Sequence, residues 1–171
     1  MYRPIVIAAV IALGLPAGYF LRDALEPEPD RVSRAISLFE TYCVPFADSR
    51  EIIINGNMER ISGSGALQTW AEPKSHLMLE INKNSCVISD QLDYLAPHEQ
   101  AKLEIAIRNA VNRSFPELVD EAADLSESWE VFEMWMQFEK QDPRRWGVVF
   151  GRFEAEGPSA ATSITTYAHN E

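Results

Sequence analysis

The chain has 171 residues, of which 46% are apolar, so it can bury one substantial core, and this length favours a single domain. Its formal net charge is −11 at pH 7, from 15 Lys and Arg residues against 26 Asp and Glu residues. Because nucleic acids bind to basic surfaces, this charge and the scattered positions of the basic residues argue against nucleic acid as a partner.

The N-terminal region contains an apolar segment, residues 5–21, which reads IVIAAVIALGLPAGYFL and carries no charge. Three interpretations are open: a core element of a soluble protein, a signal peptide cleaved near the small residues 12–14, or an uncleaved membrane anchor. The sequence favours the anchor, because the segment reaches the minimum length of a membrane span and an aromatic pair with Arg22 ends it. We assign residues 1–25 to a signal anchor or signal peptide.

A short charged segment follows the apolar one. Residues 26–30 read EPEPD, and alternating prolines favour an extended, stiff chain, so we interpret them as a spacer. Residues 31–171 then form one domain. This organisation predicts a domain in a periplasm-type compartment, anchored at the inner membrane through residues 5–21, or secreted to the periplasm if the segment is cleaved.

The first helix of the domain is predicted to begin after Asp30, which suits an N-cap. Apolar residues then recur at helical spacing as far as Cys43, which places this cysteine on the buried side, and Pro45 is expected to end the helix. Residues 48–75 mix an apolar triplet with three glycines and support either a short helix or loops.

A β-hairpin and a second helix are predicted next. Residues 76–82 and 85–92 alternate apolar and polar side chains, and the polar residues 82–84 supply the turn between them. The helix is predicted to begin at Pro97, which is favoured at the first helical position, and to end at Phe115.

The C-terminal third predicts a three-strand antiparallel meander over residues 128–138, 145–153 and 160–167. The order of elements therefore predicts an α+β fold. Its sheet is mostly antiparallel, a hairpin plus a three-strand meander, packed with two main helices and preceded by the N-terminal hydrophobic segment. No internal repeat is visible in the sequence.

Three tryptophans form a candidate partner-binding surface. Trp129 and Trp135 share one face of the first meander strand, and Trp146 lies on the neighbouring strand. Exposed, they would line a groove that anchors a partner. Covered by a helix, they would belong to the core, and the sequence favours this second interpretation because large aromatic side chains are mostly buried.

The chain has two cysteines, Cys43 and Cys86, which allow one intramolecular disulfide. Export to an oxidising compartment favours this bridge over two buried thiols or a bridge between chains. Closing a loop of this length contributes about 4 kcal/mol in the chain-entropy model.

No motif for chemistry is visible in the sequence. His76, His98 and His169 lie far apart and have no metal-ligand spacing, and the glycine-rich residues 62–65 lack the lysine of a phosphate-binding loop. Acidic pairs such as Asp90 with Asp93 are expected by chance among so many carboxylates. We therefore predict no catalytic residue, no metal and no cofactor.

The layout of export segment, helix ending in Cys, hairpin carrying the second Cys, helix and Trp-rich meander resembles that of small secreted or periplasmic bacterial proteins with one disulfide. The resemblance implies no activity. The leading hypothesis is a non-catalytic, membrane-tethered interaction or accessory domain whose partner is another envelope or membrane protein. The alternatives are a small cell-envelope hydrolase with a site assembled from distant residues, and a carrier of a small apolar ligand.

Overall fold

A computed structural model shows, over the residues that it describes, a mixed architecture of an eight-stranded antiparallel sheet and two helices. In the described part of the chain, none of the helices has both the length and the apolar composition of a membrane span. The predicted export segment and spacer lie outside the described residues, except for Asp30. The structure describes residues 30–50, 52–64, 67–122, 129–153 and 162–169.

The first helix, α1, is continuous but contains a π-helical turn. It comprises Arg31–Leu38 in α conformation, Phe39–Cys43 in π conformation and Val44–Ser49 in α conformation. The prediction that Pro45 ends this helix is wrong. Proline lacks a backbone N–H, and the wider π turn that precedes it accommodates the missing hydrogen bond, so the helix continues until Arg50 adopts a left-handed φ of 55°.

The second helix, α2, spans Pro97–Ser114, as the sequence predicted. Its N-terminus is closed by the Glu99 carboxylate, which accepts a hydrogen bond from the backbone N–H of Ala96 at 2.9 Å. The buried stripe of the helix comprises Leu103, Ile107, Ala110 and Val111.

The described strands are β1 (Glu59–Ser64), β2 (Leu67–Glu72), β3 (Leu77–Ile81), β4 (Ser85–Ser89), β5 (Val119–Glu121), β6 (Trp129–Gln137), β7 (Trp146–Phe153) and β8 (Thr162–Tyr167). They follow the order β1-β2-β3-β4-β8-β7-β6-β5 across the sheet, and all neighbours are antiparallel. The predicted hairpin is β3–β4 and the predicted meander is β6–β7–β8. Strands β1, β2 and β5 were not predicted.

The topology is repeated, although the sequence shows no repeat. A helix and a four-strand meander, α1 with β1–β4, are followed by a second helix and a second meander, α2 with β5–β8. The last strands of the two meanders, β4 and β8, pair with each other at the centre of the sheet. The two halves therefore share one continuous sheet and one core.

The core lies between the two helices and one face of the sheet. A row of directly paired residues crosses this face from β2 to β7, and each of its side chains is buried. The helices cover the row with their own apolar stripes, including Phe39 and Ile107, which are fully buried. The row consists of Trp70, Leu79, Ile88, Ile164 and Phe150.

Candidate functional site

The two cysteines form the predicted disulfide. Cys43 lies in the π-helical turn of α1 and Cys86 in β4, with their Cα atoms 5.3 Å apart, and both residues are fully buried. The bond joins the first helix to a central strand of the sheet. Its position under the helix gives it a structural role, and it is not exposed for exchange with another thiol.

Two of the three candidate tryptophans belong to the core. Trp135 is 2% exposed and Trp146 is 1% exposed, and both point toward the helices. The Trp146 ring packs edge-on against Phe115 with centroids 5.2 Å apart, and its indole N–H donates to Gln137. Neither side chain offers a surface to a partner in this structure, and the side chain of Trp129 lies outside the described residues.

The opposite face of the sheet is turned away from the helices and is largely uncharged. Strand alternation places Met134 and Met136 on this face, because Trp135 between them points into the core. Met134 pairs across the strands with Val149, and Val149 with Thr165. We call this surface the outer sheet face; it comprises Val87, Val119, Met134, Met136, Val149, Thr165 and Tyr167.

Charges occur only at the margins of the outer sheet face. In the two strand-to-strand rows that form it, the charged side chains among the described residues are Glu80 on β3 and Glu121 on β5. Glu121 accepts a hydrogen bond from Arg145 at 2.8 Å, which neutralises that margin. A surface of this kind is unusual in a chain with a net charge of −11.

A second feature is a cavity of about 580 Å³ between α1, the loop after it and the β2–β3 turn. Arg34 of α1 reaches it, and its guanidinium Nη2 donates to Glu72 Oε1 at 2.5 Å. The Glu72 side chain is 3% exposed, whereas the Arg34 side chain is 37% exposed. We call it the Arg34 cavity; its described lining is Arg34, Gly56, Asn57, Glu59, Glu72, Pro73 and Lys74.

The carboxylate of Glu72 is held in its charged form. Burial raises its pKa, but hydrogen bonds from Ser75 and Arg34 outweigh burial and hold the pKa below its ordinary value. Glu72 Oε2 accepts from the backbone N–H of Ser75 at 2.8 Å and from its hydroxyl at 2.5 Å. Glu72 thus fixes the β2–β3 turn and the Arg34 guanidinium at once.

Of the remaining acidic and histidine candidates, His76 and Asp93 come together at the surface, with Nδ1 and Oδ2 3.6 Å apart. Asp90 is fully buried, and its carboxylate accepts from the backbone N–H groups of Leu95 and Thr162, both at 2.9 Å, which ties β4 to the start of β8. Asp93 instead lies at the surface and pairs with Arg31. Among the described residues, no cluster of three or more His, Cys, Asp or Glu side chains has the geometry to hold a metal ion.

No family model, curated protein or solved structure matches the chain. The geometry itself offers two features suited to binding, the outer sheet face and the Arg34 cavity. Neither feature was predicted from the sequence. The alternation of apolar residues on both faces of β6 was a signal for the first, but Arg34 and Glu72 are 38 positions apart, and only the fold brings them together.

Proposed function

We propose that the protein is a membrane-tethered extracytoplasmic interaction or accessory domain that binds another envelope or membrane protein. Its contact surface is the outer sheet face. The observation that carries this proposal is the uncharged character of that face in an otherwise strongly acidic chain. Apolar surface that is exposed to water costs free energy, and burying it against a partner recovers that free energy.

The disulfide supports the compartment in the proposal. Structural disulfides persist in oxidising compartments, such as the bacterial periplasm, and are rare in the cytosol. The bond between Cys43 and Cys86 is buried, so it belongs to the folded domain and not to a surface redox reaction. The apolar residues 5–21 supply the tether in this proposal.

The outer sheet face has the composition of a protein-binding surface. Tyr167 and the pair Met134 and Met136 belong to residue types that are enriched at protein interfaces, whereas Lys, Glu and Asp are depleted there. The flanking carboxylates at Glu80 and Glu121 would form a polar rim around the apolar centre. A centre and rim of this kind is the arrangement of known interfaces.

Site-specific photo-crosslinking in native membranes tests this surface. A photoreactive amino acid in place of Thr165, at the centre of the outer sheet face, is expected to give one discrete adduct with another protein. The same amino acid in place of Asn112, exposed on α2, is the matched control and is expected to give none. Equal adducts from both positions, or none from Thr165, would contradict the proposed surface.

A charge substitution gives a second readout of the same surface. Thr165→Glu places a carboxylate at the centre of the face, where burial against a partner would leave it unpaired, so the adduct formed from a probe at Val149 should be lost. Asn112→Glu adds the same charge on the helix side and should leave the adduct unchanged.

The tether is tested by the mass of the native protein. An intact N-terminus, with the protein retained in the membrane fraction after alkaline extraction, is the expected result. Loss of about the first 14 residues, which is where a signal peptidase site would lie, would replace the tethered domain with a released periplasmic one.

A further inference from the structure

We propose that the Arg34 cavity is a binding site for a small amino-carboxylate, a molecule that carries a carboxylate and a cationic amine. This inference is independent of the outer sheet face, because the cavity lies on the helix side of the protein. Arg34 would bind the carboxylate, and Glu59, the lining carboxylate that Arg34 and Ser75 do not engage, would face the amine.

The Arg34 guanidinium is held in a fixed position. One of its nitrogens is held by Glu72, which is itself fixed by Ser75. The second N–H of Nη2 and the N–H groups of Nη1 and Nε have no acceptor among the described residues, so one pair of parallel donors, Nη2 with Nη1 or Nη2 with Nε, stays available, and the side chain is 37% exposed. Guanidinium groups bind carboxylates through two parallel N–H donors, and a guanidinium that is already held loses little conformational freedom on binding.

Glu72 accepts most of its hydrogen bonds from Ser75. A buried carboxylate is stabilised by two or three hydrogen bonds. The backbone N–H and the hydroxyl of Ser75 already supply two, so Glu72 requires only one bond from Arg34. The remaining hydrogen-bonding capacity of the guanidinium is therefore not consumed by its structural partner.

The charge of the lining decides between classes of anion. The lining contains two basic residues, Arg34 and Lys74, and two acidic residues, Glu59 and Glu72. A phosphate dianion would meet both carboxylates without sufficient compensation. A molecule with one carboxylate and one amine matches a lining of balanced charge.

The size of the cavity agrees with a small ligand. Small-molecule sites have volumes of roughly 300–1,000 Å³, and this cavity measures about 580 Å³. Asn57, in the turn before β1, adds a side-chain amide with both donors and an acceptor, and Pro73 adds an apolar wall. The lining thus combines one strong anchor with neutral polar and apolar contacts.

Nitrogen-15 NMR of the full-length protein tests the site. The Arg34 Nε–H signal is followed during titration with alanine, with alanine amide, which lacks the carboxylate, and with acetate, which lacks the amine. We expect a saturable shift with alanine, a weaker affinity for acetate and no saturable shift with alanine amide. Equal responses to alanine and alanine amide, or no saturation with alanine, would overturn the proposal.

Variants assign the response to individual residues. Arg34→Lys keeps the charge but removes the two-donor geometry, and should weaken alanine binding at least tenfold when followed at the Asn57 amide. Arg113→Lys, a surface arginine on α2 that pairs with Glu40, is the matched control and should bind alanine as the native protein does. An unchanged affinity in Arg34→Lys would contradict the proposed anchor.

A second variant covers the case in which Arg34→Lys does not fold. Glu59→Gln alters an exposed residue of the lining, and should weaken alanine binding while leaving acetate binding unchanged or stronger. An equal decrease in the affinities for alanine and acetate, or no change in either affinity, would show that the amine does not face the acidic lining.

Discussion

The imidazole ring of His169 stacks on the indole of Trp146, with ring centroids 3.8 Å apart and ring planes inclined by 24°. His169 follows the last strand, β8, and its backbone N–H donates to the carbonyl of Ala47 at 3.1 Å. Arg50 donates from its guanidinium to the carbonyl of His169. The stack and these bonds join the C-terminal end of β8 to the end of α1, next to the buried Trp146.

His169→Ala should lower the free energy of unfolding by about 1 kcal/mol, the contribution of a well-placed aromatic pair. For a chain of this size, that change lowers the Tm by roughly 2–4 °C. The near-UV circular dichroism of the folded protein should also change, because Trp146 loses the ring that faces it. Thermal unfolding followed by circular dichroism measures both effects.

His98→Ala is the matched control for this prediction. His98 is exposed in the first turn of α2 and makes no ring contact with a tryptophan among the described residues. Its replacement should leave the Tm and the near-UV spectrum unchanged. A similar effect of both substitutions would mean that the stack on Trp146 does not stabilise the protein.

Removal of the disulfide should have the largest effect on stability. The bond joins residues 43 positions apart and restricts the unfolded chain, which corresponds to about 4 kcal/mol in the chain-entropy model. Single domains have a total stability of roughly 5–15 kcal/mol, so this is a large fraction. The double variant Cys43→Ala/Cys86→Ala should therefore unfold at a much lower urea concentration.

Reductant provides the internal control for the disulfide. Urea unfolding of the native protein should shift to lower concentrations when dithiothreitol is present, whereas unfolding of the double variant should not respond. A native protein with the same midpoint in oxidised and reduced form would contradict a stabilising role of the bond.

The elements that the sequence predicted correctly have strong local patterns. Helix α2 has a regular apolar stripe and a proline at its start, and strands β3 and β4 alternate around a polar turn. The disulfide was predicted because only one pairing exists for two cysteines. The patterns of the helix and the strands each lie within a short segment of sequence, and the disulfide follows from the number of cysteines.

The elements that were missed depend on long-range contacts. Strand β1 contains glutamate, serine and glycine, which do not favour strands, and β2 is held in the sheet by its pairing with β3. Strand β5 has only three residues. Strand β6 is apolar on both faces, so its sequence does not decide which face meets the helices, and this is why the tryptophan groove remained a candidate.

Acid should destabilise the protein through Glu72. Its pKa in the folded state is below its ordinary value, so the folded protein binds fewer protons than the unfolded chain when pH falls through this range. The stabilisation is fully present above the unfolded value of about 4.3 and is lost as pH falls through the lower folded value. Urea midpoints between pH 7 and pH 3 measure this loss.

Substitution separates Glu72 from the other carboxylates. Glu72→Gln should reduce stability at pH 7, because the charged hydrogen bonds with Arg34 and Ser75 are weakened. It should also make the loss of stability at low pH smaller. Glu117→Gln, an exposed residue after α2, should follow the native protein at every pH. If the urea midpoint fell by the same amount between pH 7 and pH 3 in Glu72→Gln and in the native protein, Glu72 would not be the source of the acid destabilisation.

Gly147 at the start of β7 is required by close backbone packing. A Cβ atom at this position would lie 2.1 Å from the carbonyl oxygen of Trp135 and 2.9 Å from the Cα of Met136. Both contacts are with the backbone of β6, which pairs with β7 and cannot move away without breaking that pairing. Gly147→Ala should therefore destabilise the protein by roughly 3 kcal/mol, at the upper end of the usual cost of overpacking.

Gly56→Ala separates this steric effect from the general consequences of replacing glycine. A Cβ at Gly56 would have no heavy atom within 4 Å among its described surroundings, so this variant should retain native stability or gain a few tenths of a kcal/mol from a stiffer unfolded chain. Urea unfolding of the two variants side by side gives the comparison. Equal stability of Gly147→Ala and Gly56→Ala would mean that β6 and β7 do not approach as closely as the structure places them.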